Sequence, residues 1–195
     1  MSTESLSMYR RGSTATIAGC CDLSEEAERL IRNDVTPKKY VESLSERNLL
    51  QDAVRFLASA LGKREAVWWA CSCARVVTDL KLHGAQAGAI AAAERWVVAG
   101  TEEDRRATMP AAEAAKIGNA AGLAAMAAFF SGGSLAPPDV KPLPPAEDLT
   151  AKMAANAVWI GAVSSEPEKT PEKIRRFLTM GIEIAEGRNL WPDAT

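Results

Sequence analysis

The sequence predicts an all-α fold, an irregular bundle of eight or nine helices, and three features carry that prediction. Alanine is very abundant while Val, Ile and aromatic residues are sparse. Alanine is the best helix former, whereas β-branched and aromatic residues favour strands. Capping residues stand ahead of apolar runs with helical spacing, and most of these runs are joined by short turns. The 195 residues suffice for one domain with a sizeable core, since a chain of about 150 residues already buries roughly two-thirds of its unfolded surface.

Residues 1–22 are Ser/Thr-rich without a period and are expected to form a flexible or loosely docked N-terminal arm. Residues 23–195 then form a single helical domain. The stretch 22–34 opens with Ser24 as a cap and Glu25 and Glu26 in its first turn. Thr36 caps 36–48, with Pro37 at the first helical position. In 49–61, Leu50, Val54, Leu57 and Leu61 share one face and Gly62 ends the helix. A helix from about 63 to 80 follows.

Residues 85–100 are apolar nearly all round, with only Gln86, Glu94 and Arg95 polar. Such a helix is expected at the centre of its domain. Thr101 and Asp104 resemble a capping box for the next helix, which Pro110 should bend or restart. A second nearly all-apolar helix covers 119–130, its Ala and Gly residues allowing close backbone approach. The run SGGSLAPPDVKPLPP, residues 131–145, reads as a long surface connection. Helices over 146–163 and 170–187 complete the chain, the last opening on a Thr170-Pro171 cap. Bulky aromatics at Tyr40, Trp68, Trp96, Phe129, Trp159 and Trp191 recur roughly every 28 to 33 residues. That spacing leaves an array of helical hairpins as the alternative architecture.

The formal charge is −2, with basic and acidic residues interleaved, as in EEDRR (102–106) and EKIRR (172–176). Such runs read as solvated helix faces, and the clustered basic face of a nucleic-acid binder is absent. The cysteines fall in close pairs, Cys20–Cys21 and Cys71/Cys73. Close pairs make a poor secreted disulfide framework, so a reducing cytoplasm is expected. Ile17-Ala18-Gly19-Cys20 resembles a lipoprotein cleavage box, and export through Cys20 is the minor alternative. The segment between Arg11 and Cys20 is short and half Gly, Ser and Thr, unlike the apolar stretch of a signal peptide. No segment reaches the roughly 20 apolar residues of a membrane span.

The most distinctive run is KREAVWWACSCARVV, residues 63–77. At about 100° per residue, Cys71 and Cys73 point about 200° apart, so they cannot share a metal while the helix stands. Zinc sites use C-x2-C spacing and a second ligand pair, and the one histidine, His83, supplies none. Free cysteine as a small core hydrophobe is the expected role. Trp69, Cys73, Val76, Val77 and Leu80 make one apolar face, with Ala66 and Ala70. Trp96 and Trp159 are expected in the core with Trp69 and Cys73.

Arg64, Glu65, Ser72, Arg75 and Asp79 make the opposite, polar face, and Trp68 falls in its middle. Either the chain covers Trp68, with the N-terminal arm and the Pro-rich connection available as lids, or a partner does. Trp and Arg dominate protein interfaces, which makes Trp68 with Arg64, Glu65 and Arg75 the candidate interaction site.

No catalytic residues are expected. With one histidine there is no H-E-x-x-H, and neither G-x-S-x-G nor G-x4-G-K-[ST] occurs. SGGS (131–134) follows a helix C-terminus, the wrong polarity for a phosphate. Glu102, Glu103 and Asp104 read as a solvated first turn. No cofactor or metal is expected.

The segment GKREAVWWACSCAR (62–75), after LLQDAVRFLASAL, resembles a family of small bacterial all-helical proteins of unknown function. Members carry a similar K-R-E-A-V-W-W-A-C segment and Ala-rich helices with an E-R-W like Glu94-Arg95-Trp96. The resemblance covers roughly residues 35–190 and marks Lys63, Arg64, Glu65, Trp68 and Trp69 as its signature. It implies genes near secretion clusters, including type VI loci, and an accessory or adaptor role with no catalytic residues to carry over.

The expected function is therefore a cytoplasmic, non-enzymatic adaptor acting on another protein in a bacterial secretion or effector system. The alternatives are an immunity or antitoxin-like inhibitor of a co-encoded toxin, and a small-molecule-binding bundle or enzyme of unfamiliar type. The last would place Gln86, Asn119 and Asn156 around one deep pocket.

Overall fold

The computed structural model describes residues 12–192 except Asn33, Leu80, Leu82 and Pro138. Part of the expected N-terminal arm, residues 1–11, lies outside them. The described residues are all-α: ten helices, eight of them ten residues or longer. Residues 14–18 of that arm are not free. They form a short helix, α1 (Thr14–Ala18), capped by Ser13. Ile17 and Ala18 are buried, and the Thr14 hydroxyl donates to the Val35 carbonyl at 2.5 Å.

The helix expected over 22–34 shrinks to one turn, α2 (Glu25–Glu28), with Ser24 as its cap. Tertiary bonds hold it there. Buried Asp52 accepts from both the Ser24 amide and its hydroxyl at 2.9 Å, and the Tyr40 hydroxyl donates to the Ala27 carbonyl at 2.7 Å. Next come α3 (Pro37–Glu46), α4 (Leu50–Ala60) and α5 (Lys63–Val77). Thr36 caps α3, accepting from the Lys39 amide at 3.3 Å. Then follow α6 (Gly84–Ala99), α7 (Glu102–Ala114) and α8 (Ala120–Phe129). Gly100, at φ 68°, ends α6 in the left-handed conformation, and Thr101 caps α7 through the Asp104 amide. Pro110 lies inside α7, which runs on past it to Ala114.

The chain ends with α9 (Leu149–Val163) and α10 (Thr170–Ala185). Thr170 does not cap α10. A 3₁₀ turn over Pro167–Lys169 winds into the helix, and Thr170 is already helical.

Helix α8 is the hub, packing against α5, α6, α7 and α9. Ala121, Ala124, Ala125, Ala127 and Ala128 are fully buried, and these short side chains let four neighbours approach one axis. The expectation that 85–100 would also be central is corrected. Helix α6 buries Ala89, Ile90, Ala93, Trp96 and Val97 but leaves Ala85, Gly88, Arg95 and Ala99 exposed. An alanine methyl costs little to expose, so an Ala-rich sequence does not by itself distinguish a central helix from a peripheral one. Helices α9 and α10 return to pack on α4 and α5, closing a bundle rather than extending an array of hairpins.

A second focus of packing joins α3, α4, α5 and α10. Tyr40 meets Phe56 edge-on at 4.6 Å, and the Trp69 indole N–H donates to the Phe177 carbonyl at 2.7 Å. Burial, first of all, pushes the Tyr40 phenol up from 10.0 to about 12. The folded state thus holds this proton longer than the unfolded chain. Tyr40's contribution to stability is complete below pH 10 and is lost as pH rises from about 10 to about 12. Denaturant titrations across that range should show the fall, and Tyr40→Phe should reduce it. A Tyr40→Phe curve parallel to wild type would exclude this source.

Candidate functional site

The polar side of α5 carries the candidate residues, and tertiary contacts use Arg64, Trp68 and Arg75. Arg64 points its guanidinium at the open end of α6, where Nε and Nη2 donate to the Val97 carbonyl and Nη2 to the Val98 carbonyl at 3.1 Å. A cation there satisfies orphan carbonyls and complements the helix dipole. Arg75 forms a two-pronged bond with Glu94 of α6, both contacts 2.5 Å. Glu65 folds its carboxylate back over Gly62 at the start of α5. Lys63 reaches Glu147 ahead of α9 at 3.1 Å.

The cysteines lie on opposite sides of α5, yet both are fully buried, because α6, α8, α9 and α10 all pack on this helix. Burial pushes both thiols well above their ordinary value, as for a cysteine held as a small core side chain. Trp69 is fully buried and Trp96 nearly so. Trp159, expected in the core, is half-buried and lines a surface cleft with Leu49, Pro167 and Pro171. Val76, expected on the apolar face, is exposed at the last turn of α5. Leu80 lies outside the described residues.

Trp68 is half-buried, and among the described residues the cover found for it is not the Pro-rich connection but the C-terminal segment. The chain beyond α10 turns back across α5. There the Trp68 indole N–H donates to the Asn189 carbonyl at 2.7 Å, and Trp191 packs edge-on at 6.3 Å. The Arg64 guanidinium lies over the Trp191 ring, 4.8 Å from its centroid, in cation–π contact. Sequence spacing had placed Trp191 in a series of aromatics, and nothing in that pattern marked it as the lid.

From this cluster an open groove of about 500 Å³ runs along the outer face of α6. Trp68, Pro192, Ala91, Val98 and Ala99 supply its apolar lining, and Glu94, Arg95 and Asp104 its charged lining. Arg95 is exposed and takes part in none of the ion pairs among the described residues. A lining both apolar and charged suits a peptide or helix face.

The other notable cleft, about 210 Å³, lies between α4, α9 and the turn after α1. It is lined by Cys20, Cys21, Arg55, Lys152 and Asn156 among others. Burial pushes the Cys21 thiol up, and Lys152 pairs with Asp148 at 2.6 Å. Gln86, Asn119 and Asn156 do not line a common groove among those described. Asn119 is occupied as the cap of α8, accepting from the Gly122 amide at 3.0 Å. Among the described residues no three His, Cys, Asp or Glu are grouped to hold a metal ion, and no helix is long and apolar enough to cross a membrane.

A family model described as a family of unknown function (DUF6931) matches residues 40–185. No curated protein and no solved structure matches the chain.

Proposed function

The chain belongs to this family of unknown function, DUF6931, and we propose that it is a non-enzymatic accessory or adaptor protein working by protein–protein contact. The observation that carries the reading is the open apolar groove that begins at Trp68 and follows α6. A partner's helix or extended segment lays its apolar side on Ala91, Val98 and Ala99 and meets Arg95. This is a recurrent mode of peptide recognition. Resemblance of GKREAVWWACSCAR to helical proteins of secretion clusters favours a bacterial secretion or effector system as the setting. Four free cysteines suit the cytoplasm.

The test is co-purification from the native host with wild-type chain and with Ala91→Arg. Ala91 is only partly buried, so the change should alter stability by no more than about 0.5 kcal/mol. It nonetheless fills the groove floor with a charged side chain. A reproducible partner lost with Ala91→Arg is the expected result, whereas a partner retained by a folded Ala91→Arg chain places docking elsewhere. A metabolite that stabilises the chain, with no protein partner, would instead support a small-molecule role.

A further inference from the structure

We infer that residues 188–192 are an internal ligand of the groove. They are a strap that occupies its Trp68 end until a partner's extended segment of the same chemistry replaces it. The inference rests on the docking reading above. Its first support is the way the chain leaves α10. The Gly187 amide donates to the Ile184 carbonyl at 2.9 Å and the Arg188 amide to the Glu183 carbonyl at 2.8 Å. This pair of bonds is the Schellman motif that ends many helices. Gly187 at φ 76° and Asn189 at φ 52° both sit in the left-handed region, which reverses the chain onto α5. The bonds that hold the reversal lie outside the groove: Asn189 donates to the Glu183 carboxylate at 2.6 Å, and Glu186 pairs across the fold with Lys38 of α3 at 2.7 Å. The hinge is therefore set whether or not the strap lies down.

Beyond the hinge, the strap's named polar bond to the groove is one carbonyl, that of Asn189, on the Trp68 indole. The rest is apolar contact: Leu190 and Trp191 are half-buried against the edge of the core, Trp191 also packs against Trp68 and under Arg64, and Pro192 lines the groove. Half-buried contacts of an extended segment are the kind that a bound peptide also makes. The family match stops at residue 185, so Trp68 and the α6 floor lie within the matched region and the strap lies beyond it. The same groove is also lined by the exposed cation Arg95, with Glu94 and Asp104. Of the groove's charged lining, Glu94 is paired with Arg75 and Asp104 accepts from the Thr101 hydroxyl, so Arg95 is the charge left for a partner, whose segment is then an aromatic residue, proline and an acidic side chain that reaches Arg95. A short tether holds the strap at an effective concentration of about millimolar, so the intact chain suppresses weak ligands and admits one that also uses the α6 floor.

The test uses a synthetic peptide, Arg188–Thr195, titrated into full-length chain and into a chain truncated after Gly187. The truncated chain should keep cooperative unfolding and bind the peptide at least tenfold tighter than the full-length chain does. A peptide carrying Trp191→Ala should lose binding. Equal affinity for the two chains, or no binding to a folded truncated chain, overturns the inference. So does a truncated chain that no longer unfolds cooperatively.

Full-length Trp191→Ala provides an independent reading. Hydrogen exchange at the Trp68 indole should speed up at least tenfold while the α5 backbone amides stay protected. Unchanged exchange, or loss of protection along all of α5, contradicts the strap. The two readings separate cleanly. Peptide binding to the truncated chain without any partner sensitive to Ala91→Arg keeps the strap and removes the docking role. A partner lost with Ala91→Arg but indifferent to strap removal keeps the docking role and overturns the strap.

Discussion

Trp69→Ala is expected to cost about 4 kcal/mol of stability, in line with truncation of a fully buried aromatic. For a chain of this length that lowers the melting temperature by about 8–16 °C. The size follows from the packing. Trp69 is fully buried, its indole N–H is bonded to Phe177 of α10, and its ring lies against Gly181. A methyl added at Gly181 would meet Leu57 Cδ2 at 2.7 Å and the Trp69 ring at 2.9 Å, so ring and glycine are fitted to each other. The adjacent Trp68→Ala should cost only about 1 kcal/mol, the scale of a lost edge-on aromatic pair. Chemical denaturation of the two variants side by side makes the comparison. Equal losses would mean that Trp68 belongs to the core and that the strap is structural.

The second large effect is expected at Arg105, a charged residue only 3% exposed. It grips the Glu102 carboxylate at 2.6 and 2.7 Å and donates to the Phe129 carbonyl at the end of α8 and to the Ser134 carbonyl at 3.0 Å. It also lies over the Phe129 ring, 4.9 Å from its centroid. Arg105→Ala removes the packing and leaves two carbonyls without this donor, a loss of about 3 kcal/mol on the scale of orphaned buried groups. Limited proteolysis should then cut within 131–145 faster than in the wild-type chain. Gly133→Ala should act in the same direction. Gly133 sits at φ 62°, and an added methyl would fall 2.8 Å from Arg105 Nη2. A stable Arg105→Ala chain with an uncut connection would show that Arg105 is not what holds the connection, leaving the Arg106 bonds to the Ser134 and Ala136 carbonyls to do so.

Arg105 also marks where sequence reasoning stopped short. EEDRR reads as a solvated face, and most of it is, but Arg105 points inward to tie down the connection. The Arg105 hydrogen bond, first among its causes, holds the Glu102 carboxyl below the usual carboxylate range. A charge run in sequence carries no sign of which member faces a neighbour four helices' worth of packing will supply. The long helices were legible because their signals are local: Thr36 and Thr101 cap α3 and α7 through their own side chains. What failed was set by distant partners. Asp52 and Tyr40 cut α2 to one turn. The peripheral place of α6 depends on α8 being central.

The candidate site was half legible. Trp68 on a polar helix face announced that something must cover it, and Arg64 and Arg75 stood on the same face. Their true roles, capping α6 and pairing with Glu94, required knowing that α6 lies alongside. The lid was the least legible part. Leu190-Trp191-Pro192 has no period and no cap, and only the turn at Gly187 and Asn189 aims it at α5.

Site-specific photo-cross-linking from position 91 in the native cell tests the docking claim most directly. A photoreactive residue at Ala91 on the groove floor is compared with one at exposed Glu172 on α10. The account predicts one protein adduct from position 91, absent from position 172 and stronger once the strap is removed. No adduct from position 91, or the same adducts from both positions, would contradict it.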